Sequence, residues 1–253
     1  MKTILILGSK PDAVIPPNYD EIFASNASLE FFKKSLSNVN KTLLLSAGEV
    51  SEENIRALKK QGKGQLAKEK MNLIMQSNFD NLIVLNKNDS LTFTSESQVF
   101  LNKAEKVLDS HERRKVVYKV TSLLDPIMPI NYAKKYGLIS ALGFLYNKTK
   151  FLINSYHSRD MDCDSQFRAS TGVFALVYAI SKYGSNAKYI LSGVGITNRL
   201  SYSISGDKSR VKASGRVPHV EADLAILKRV LKKYDVCITD AELASVFEKS
   251  RKK

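Results

Sequence analysis

Short apolar runs alternate with segments of helical periodicity along most of the chain. The runs are apolar at consecutive positions, which is typical of strands buried on both faces of a parallel sheet. The segments between them repeat apolar residues every three or four positions, which predicts helices. The predicted strands are Thr3–Leu7, Glu21–Ala24, Lys41–Ser46, Asn81–Leu85, Lys115–Val120, Lys188–Ser192 and Asp235–Ile238. The predicted helices are Ser28–Ser37, Ser51–Lys60, Glu96–Ser110, Ile139–Asn154, Ser170–Tyr183, His219–Lys233 and Ala241–Lys252.

This alternation predicts a single α/β domain over residues 1–253, with a doubly wound, mostly parallel, Rossmann-like sheet. Pro126 and Pro129 interrupt the pattern, and we expect residues 125–164 to form a small helical insertion or lid. Two residues mark helix ends. Ser51 precedes two acidic residues and is expected to cap a helix, and Gly184 is expected to end one.

The composition is that of an ordinary globular protein, with 43% apolar and 25% charged residues. No segment reaches the roughly 18 consecutive apolar residues of a spanning helix, and the apolar start of the chain is interpreted as a strand rather than a signal peptide. Two cysteines are too few for a disulfide framework. We therefore expect a cytoplasmic protein, with peripheral contact at the inner face of the cell membrane as an option.

The formal net charge of +14 indicates either an anionic partner or a solvated, lysine-rich surface. Nucleic acid, an anionic membrane surface and anionic small substrates are the partners that would explain it. The basic residues are dispersed, and the densest cationic loop lacks the interleaved aromatic residues on which bases stack. We expect no specific nucleic-acid partner, and a basic nucleic-acid-binding α/β protein is kept as the alternative.

Small and polar residues follow several predicted strands. Gly8 and Ser9 come directly after the first strand, where a glycine either allows close backbone approach to a ligand or simply forms the turn that ends the strand. Asn26 follows the second strand and suits either contact with a base or ribose or an Asx turn. Ser192 and Gly193 end a later strand, and ligands of open α/β sheets bind outside such carboxyl ends.

A Ser-Thr-Gly turn opens the most apolar predicted helix. The N–H groups at Ser170, Thr171 and Gly172 suit a carboxylate or phosphate, because a helix N-terminus carries partial positive charge. The alternative is an ordinary helix cap, with the glycine serving helix–sheet packing.

The polar segment 197–218 is predicted to be a lid loop over a phosphorylated donor, or else a solvated loop. Its cations are Arg199, Lys208, Arg210, Lys212 and Arg216, and its Tyr202 hydroxyl suits a leaving phosphate. His219 follows this loop and lies four residues before Asp223, so a helix would place both on one face. His219 is then a candidate general base oriented by Asp223, with a plain capping role as the alternative.

Taken together, these residues resemble a known family. The order STGVFALVYAISKYGSNAKYILSGV, then after a gap PHVEADLAILKRVLKKYDVCI, resembles the bacterial sialyltransferases that use CMP-activated sialic acid. The segments ILILGSKPDAV and ASNAS also resemble the opening glycine turn and nucleotide-contacting asparagine of that family. The resemblance does not extend to residues 49–164. The resemblance implies the GT-A-like fold of these sialyltransferases, which is a variant of the Rossmann-like fold and carries a lid.

The resemblance also implies roles for single residues. His219 would be the general base, and Gly8 and Asn26 would line the nucleotide pocket. The other predicted donor-binding residues follow either from the resemblance or from their position and charge. They are Ser9, Ser170, Thr171, Gly172, Ser192, Gly193, Arg199, Lys208 and Arg210. The family usually has an acidic residue and a tyrosine after the Ser-Gly pair, where this chain has Gly195 and Thr197. Tyr202 is therefore the remaining phosphate-stabilising tyrosine, and the donor sugar is either sialic acid or the related keto-acid sugar Kdo.

The predicted function is that of an inverting glycosyltransferase, which moves a 2-keto acid sugar from a CMP donor to a glycan or glycolipid acceptor of lipopolysaccharide or capsule. The resemblance implies catalysis without a metal ion or other cofactor. The acidic run Asp160–Asp164 suits a hard cation or a solvated turn. A different nucleotide-dependent Rossmann-like transferase is the second alternative.

Overall fold

The computed structural model describes residues 1–10, 13–60, 62–87, 89–123, 142, 146, 169–195 and 218–251. The strands within these ranges form one sheet in the order β5-β4-β3-β2-β1-β6-β7, and all neighbouring strands are parallel. They are β1 (Lys2–Leu7), β2 (Glu21–Ser25), β3 (Asn40–Ser46), β4 (Asn81–Leu85), β5 (Lys106–Leu108), β6 (Ala187–Ser192) and β7 (Val236–Ile238). The predicted Rossmann-like, doubly wound α/β fold is confirmed.

Helices cover both faces of this sheet. One face carries α1 (Ser28–Phe31), α2 (Glu52–Lys60), α3 (Gly64–Met75) and α4 (Ser95–Leu101). The other face carries α5 (Ser110–Thr121), α6 (Thr171–Tyr183), α7 (Pro218–Lys233) and α8 (Ala241–Arg251). Successive side chains of a strand point to opposite faces, so Leu5 belongs to the first core and Ile4 and Ile6 to the second. Two apolar cores explain why the central strands carry apolar residues at consecutive positions.

The chain order of the strands reverses beside β1. From β1 the chain proceeds strand by strand to β5, and β6 then pairs with the opposite edge of β1. The helices before and after this reversal lie on different faces, so the chain leaves β1 and β6 towards opposite sides. Such a topological switch point opens a crevice at the carboxyl ends of the strands, where open α/β sheets bind ligands.

The predicted strand Lys115–Val120 is wrong, because these residues belong to α5. β-Branched valines favour a strand locally, but a capping box fixes the helix start. Asp109 accepts a hydrogen bond from the Glu112 N–H at 2.7 Å, and the Glu112 carboxylate accepts one from the Asp109 N–H at 3.1 Å. The buried positions Val117 and Val120 then lie one helical turn apart.

The predicted helix Glu96–Ser110 is also wrong in its second half. α4 ends at Leu101, and Lys106–Leu108 form the short edge strand β5. The helix α3 was not predicted, although it buries Ala67, Met71 and Ile74 at helical spacing. The predicted helix Ser28–Ser37 divides into α1 and a 3₁₀ turn at Lys33–Ser35.

Both predicted helix ends are confirmed. The Asn54 N–H donates to the Ser51 hydroxyl at 3.3 Å, and Gly184 ends α6 with a φ of 61°. The predicted helix Ile139–Asn154 and the insertion 125–164 lie outside the described residues, apart from Leu142 and Tyr146. Among the helices described, none is long and apolar enough to cross a membrane.

Candidate functional site

Backbone hydrogen bonds connect the segment that follows β1 to the end of β6 and the residue after it. The Gly8 N–H donates to the Ser192 carbonyl at 2.8 Å, and the Lys10 N–H donates to the Gly193 carbonyl at 2.9 Å. The buried Ser192 hydroxyl donates to the Val14 carbonyl at 2.7 Å, so it holds the loop after β1. These bonds bring three of the predicted donor-binding residues, Gly8, Ser192 and Gly193, into one junction.

Both glycines of this junction are required by its geometry. A Cβ added to Gly8 would lie 2.2 Å from the Gly193 carbonyl oxygen, which is backbone and cannot rotate away. Gly193 has a φ of 66°, and a Cβ there would lie 2.6 Å from the Ala13 Cβ. The two glycines therefore allow the backbones to meet closely at the switch point.

The start of α6 lies beside this junction. A Cβ on Gly172 would approach the Val194 side chain to 3.1 Å, so Gly172 packs against the segment that follows β6. The Ser170 hydroxyl accepts a hydrogen bond from the Val173 N–H at 3.4 Å and caps the helix. Ser170 and Gly172 thus have the local capping and packing roles, and Thr171 lies half-buried between them. The predicted contact of these N–H groups with a carboxylate or phosphate stays a prediction.

Two buried charged residues hold the peptide group that leads into α6. Arg113 of α5 donates to the Ala169 carbonyl at 2.9 Å, and its guanidinium lies 4.7 Å from the centre of the Phe174 ring. Asp223 of α7 accepts a hydrogen bond from the Ser170 N–H at 2.8 Å. The carbonyl of Ala169 and the N–H of Ser170 belong to one peptide group. Helices on either side of α6 therefore fix the position of its N-terminus.

Asn26 holds two strand ends together. It lies just after β2 in the left-handed region, with a φ of 52°. Its N–H donates to the Leu44 carbonyl at 3.0 Å, and its side-chain oxygen accepts from the Ser46 N–H at 3.3 Å. Asparagine tolerates this backbone conformation better than most residues. The Asx-type interpretation of Asn26 accounts for its side-chain oxygen, and a nucleotide contact stays a prediction.

A cavity of about 330 Å³ opens at the carboxyl ends of β1, β6 and β7. Its volume is in the range of small-molecule sites. Among the described residues, those that line it are Lys10, Ala13, Val14, Gly193, Thr239, Asp240 and Ala241. The cavity therefore lies at the switch point, next to the junction of Gly8 and Gly193.

A buried ion pair forms one part of the cavity wall. Lys10 Nζ lies 2.6 Å from Asp240 Oδ2, and the two side chains are only 7% and 10% exposed. Asp240 Oδ1 accepts a hydrogen bond from the Leu243 N–H at 3.0 Å, so the same carboxylate caps α8. Burying an unpaired charge is costly, and the contact between these two groups offsets part of that cost. The pair links the loop after β1 to the start of α8.

The catalytic residues predicted from the sequence are described only in part. His219 lies in the first turn of α7, and its side chain is outside the described atoms. Asp223 is one helical turn further on and is buried, with Ser170 as its neighbour. Tyr202, Arg199, Lys208, Arg210 and the run Asp160–Asp164 lie outside the described residues. The predicted contact between His219 and Asp223 accordingly stays a prediction.

Sequence reasoning missed Lys10, Asp240 and Arg113. Lys10 and Asp240 each follow a strand by two or three residues, and this position after a strand end is the signal that could have found them. Arg113 is a basic residue within a charged helix, and its sequence gives no signal of its burial. Ser9, which was predicted, lies half-buried between Gly8 and Lys10.

Fold and site together define a doubly wound α/β protein with a polar cavity at its switch point. Comparisons of the chain with protein-family models, with curated proteins and with solved structures find no match. The chemistry of the site must therefore be argued from its own residues.

Proposed function

We propose that this protein is an inverting glycosyltransferase that transfers a 2-keto acid sugar from its CMP-activated donor. Sialic acid and Kdo are the two candidate sugars, and a glycan or glycolipid is the acceptor. The observation that carries the proposal is the cavity beside Gly8 and Gly193, at the switch point of the sheet. Nucleotides bind at this place in open parallel sheets.

The order of the site elements along the chain adds support. Three features lie at the carboxyl-end edge of the sheet. They are the close-packed glycines after β1 and β6, the capped start of α6, and the start of α7, where the sequence has a histidine. This is the order of elements in which the chain resembles the CMP-dependent sialyltransferases. The net charge of +14 suits an anionic donor and an anionic acceptor at a membrane surface.

The proposed reaction assigns one step to each group. His219 takes the proton from the acceptor hydroxyl, and the hydroxyl oxygen attacks the anomeric carbon of the sugar. The bond from that carbon to the CMP phosphate oxygen breaks, and CMP leaves with the electron pair. Attack opposite the leaving group inverts the anomeric configuration. Tyr202 and the cations of residues 197–218 stabilise the negative charge on the departing phosphate, and no cofactor takes part.

The first test identifies the nucleotide. We expect CMP to raise the melting temperature of the full chain, because a ligand that binds only the folded state stabilises it. UDP, GDP, S-adenosylmethionine and NAD should have no comparable effect. Stabilisation by UDP alone, or by S-adenosylmethionine alone, would contradict the proposal.

The second test concerns the general base. It measures the release of CMP from CMP-sialic acid and from CMP-Kdo in the presence of glycan acceptors. His219→Ala should lower turnover by about 100-fold or more while CMP binding is retained. His111→Ala is the matched control, because His111 lies exposed in the first turn of α5. Near-normal turnover of His219→Ala would show that another group is the base.

A further inference from the structure

The cavity at the carboxyl ends of β1, β6 and β7 presents a donor and an acceptor side by side. Lys10 Nζ and Asp240 Oδ2 are 2.6 Å apart, and both residues line the cavity. An ammonium carries three N–H donors, and each carboxylate oxygen carries two lone pairs. Both groups therefore have the capacity to bind a ligand while they bind each other.

The two opposite charges at the cavity wall favour some ligand groups over others. A phosphate would be attracted by the Lys10 ammonium and repelled by the Asp240 carboxylate at nearly the same distance. A neutral ring with a donor next to an acceptor can instead form one hydrogen bond with each group. The remaining wall is made of small or apolar residues such as Ala13, Val14 and Ala241, which suit the flat face of an aromatic ring.

We propose that Lys10 and Asp240 bind the cytosine base of the donor nucleotide. The carboxylate of Asp240 accepts a hydrogen bond from the exocyclic amino group, and the ammonium of Lys10 donates to the adjacent ring nitrogen. This inference rests on the proposed CMP-sugar activity and assigns to it two residues that select the base. Carboxylates accept from the same amino group of cytosine when proteins bind DNA.

The pair would also exclude uracil. A uracil ring in the same position turns its O4 acceptor towards the Asp240 carboxylate and its ring N–H towards the Lys10 ammonium. Two hydrogen bonds are then replaced by two repulsive contacts. Asp240 is fixed in place because it also caps α8, so it does not readily rotate to relieve the mismatch.

The test compares the affinities of CMP and UMP by titration calorimetry with the full chain. The wild type should bind CMP about tenfold or more tightly than UMP. Asp240→Asn should abolish or reverse the preference for CMP, because its amide oxygen stays with the Leu243 N–H as the helix cap and its amino group then faces the base. Asparagine is also a good N-cap, so the start of α8 is retained. Lys10→Met should weaken CMP binding by about tenfold.

Lys2→Met is the matched control, since Lys2 forms an ion pair with Glu21 at the same distance of 2.6 Å, at the opposite edge of the sheet. It should leave the ratio of the two affinities unchanged. A wild-type ratio near one, or an unchanged ratio in Asp240→Asn, would overturn the inference and leave the proposed function standing. Inorganic phosphate that protects the wild type against heat but not Lys10→Met would also overturn it. A wild type that binds no CMP at all would contradict the proposed function as well.

Discussion

Gly8 lies where the backbone after β1 meets the backbone after β6. The space for a side chain there is filled by main-chain atoms of Gly193 and Val194, at 2.2 to 2.8 Å from the position of an added Cβ. A backbone contact of this kind relaxes only if one strand end moves. Because the two strand ends also carry the hydrogen bonds of the junction, such a movement would change the shape of the cavity.

Gly8→Ala should therefore destabilise the protein by about 2–3 kcal/mol, as overpacking does in a close-packed interior. Urea unfolding followed by circular dichroism measures this change. Gly48→Ala is the control, since Gly48 follows β3 at the same edge and the nearest atom to its added Cβ is 4.0 Å away. An equal loss of stability in both variants would indicate that the close contact at Gly8 is not the cause.

Single residues were predictable wherever their chemistry depends on position along a strand. Gly8, Ser192 and Gly193 could be selected because glycine and serine at strand ends are conspicuous in sequence. Lys10 was not selected, because a lysine beside a loop looks like any exposed lysine. Its burial depends on Asp240, which is distant in the chain and reaches it only through the pairing of β1, β6 and β7.

At the scale of elements, α6 is held at its N-terminus by its two neighbouring helices. Arg113 of α5 and Asp223 of α7 bind the two ends of the peptide group between Ala169 and Ser170. Both side chains are buried, at 5% and 2% exposure. Removing either partner would leave a buried polar group of that peptide without this hydrogen bond.

Asp223→Ala should cost about 1–3 kcal/mol of unfolding free energy, because the Ser170 N–H would lose its acceptor. Asp223→Asn should cost less than about 1 kcal/mol, because the amide oxygen can still accept that hydrogen bond. Chemical denaturation of both variants gives the two values. The turnover of Asp223→Asn then tests the separate prediction that the carboxylate orients His219. Equal losses of stability in the two variants would contradict the role of Asp223 in holding the Ser170 N–H.

The elements themselves were predictable where burial on both faces gave continuous apolar runs, as in β1, β3, β4 and β6. The errors have a common physical cause. In Lys115–Val120 the local preference of valine for strands was outweighed by the capping box at Asp109 and by packing against α6. The edge strand β5 buries little, so its sequence carries no clear apolar signal.

At the scale of the whole molecule, the net charge of +14 increases as carboxylates are neutralised by acid. Glu21 is a carboxylate that opposes acid unfolding. Burial raises its pKa, but hydrogen bonds from Lys2 and Tyr183 outweigh burial, and the pKa lies below its ordinary value of 4.5. A carboxyl with a lowered pKa stabilises the fold above the unfolded pKa, and this stabilisation is lost as the pH falls through the folded pKa.

Glu21→Gln should lower the unfolding free energy at neutral pH by about 1 kcal/mol, a modest value because Lys2 and Lys182 are largely solvated. The difference from the wild type should shrink as the pH falls below 4.5. Urea unfolding over a series of pH values measures it. Glu52→Gln removes an exposed ion pair with Arg56 and should change the stability by less than about 0.5 kcal/mol. A difference that widens in acid would mean that the pKa of Glu21 is raised instead.

The position of β1 in the sheet also has a consequence for how the protein is made. β1 pairs on one side with β2, which follows it closely, and on the other with β6, so that Lys2 meets Ala187. During translation the open edge of β1 has no partner until most of the chain has left the ribosome. Exposed strand edges promote aggregation, and pairing between distant segments is slow. The side of β1 that pairs with β6 in the folded protein therefore stays exposed in the nascent chain until β6 has been made, and chaperones are expected to protect it.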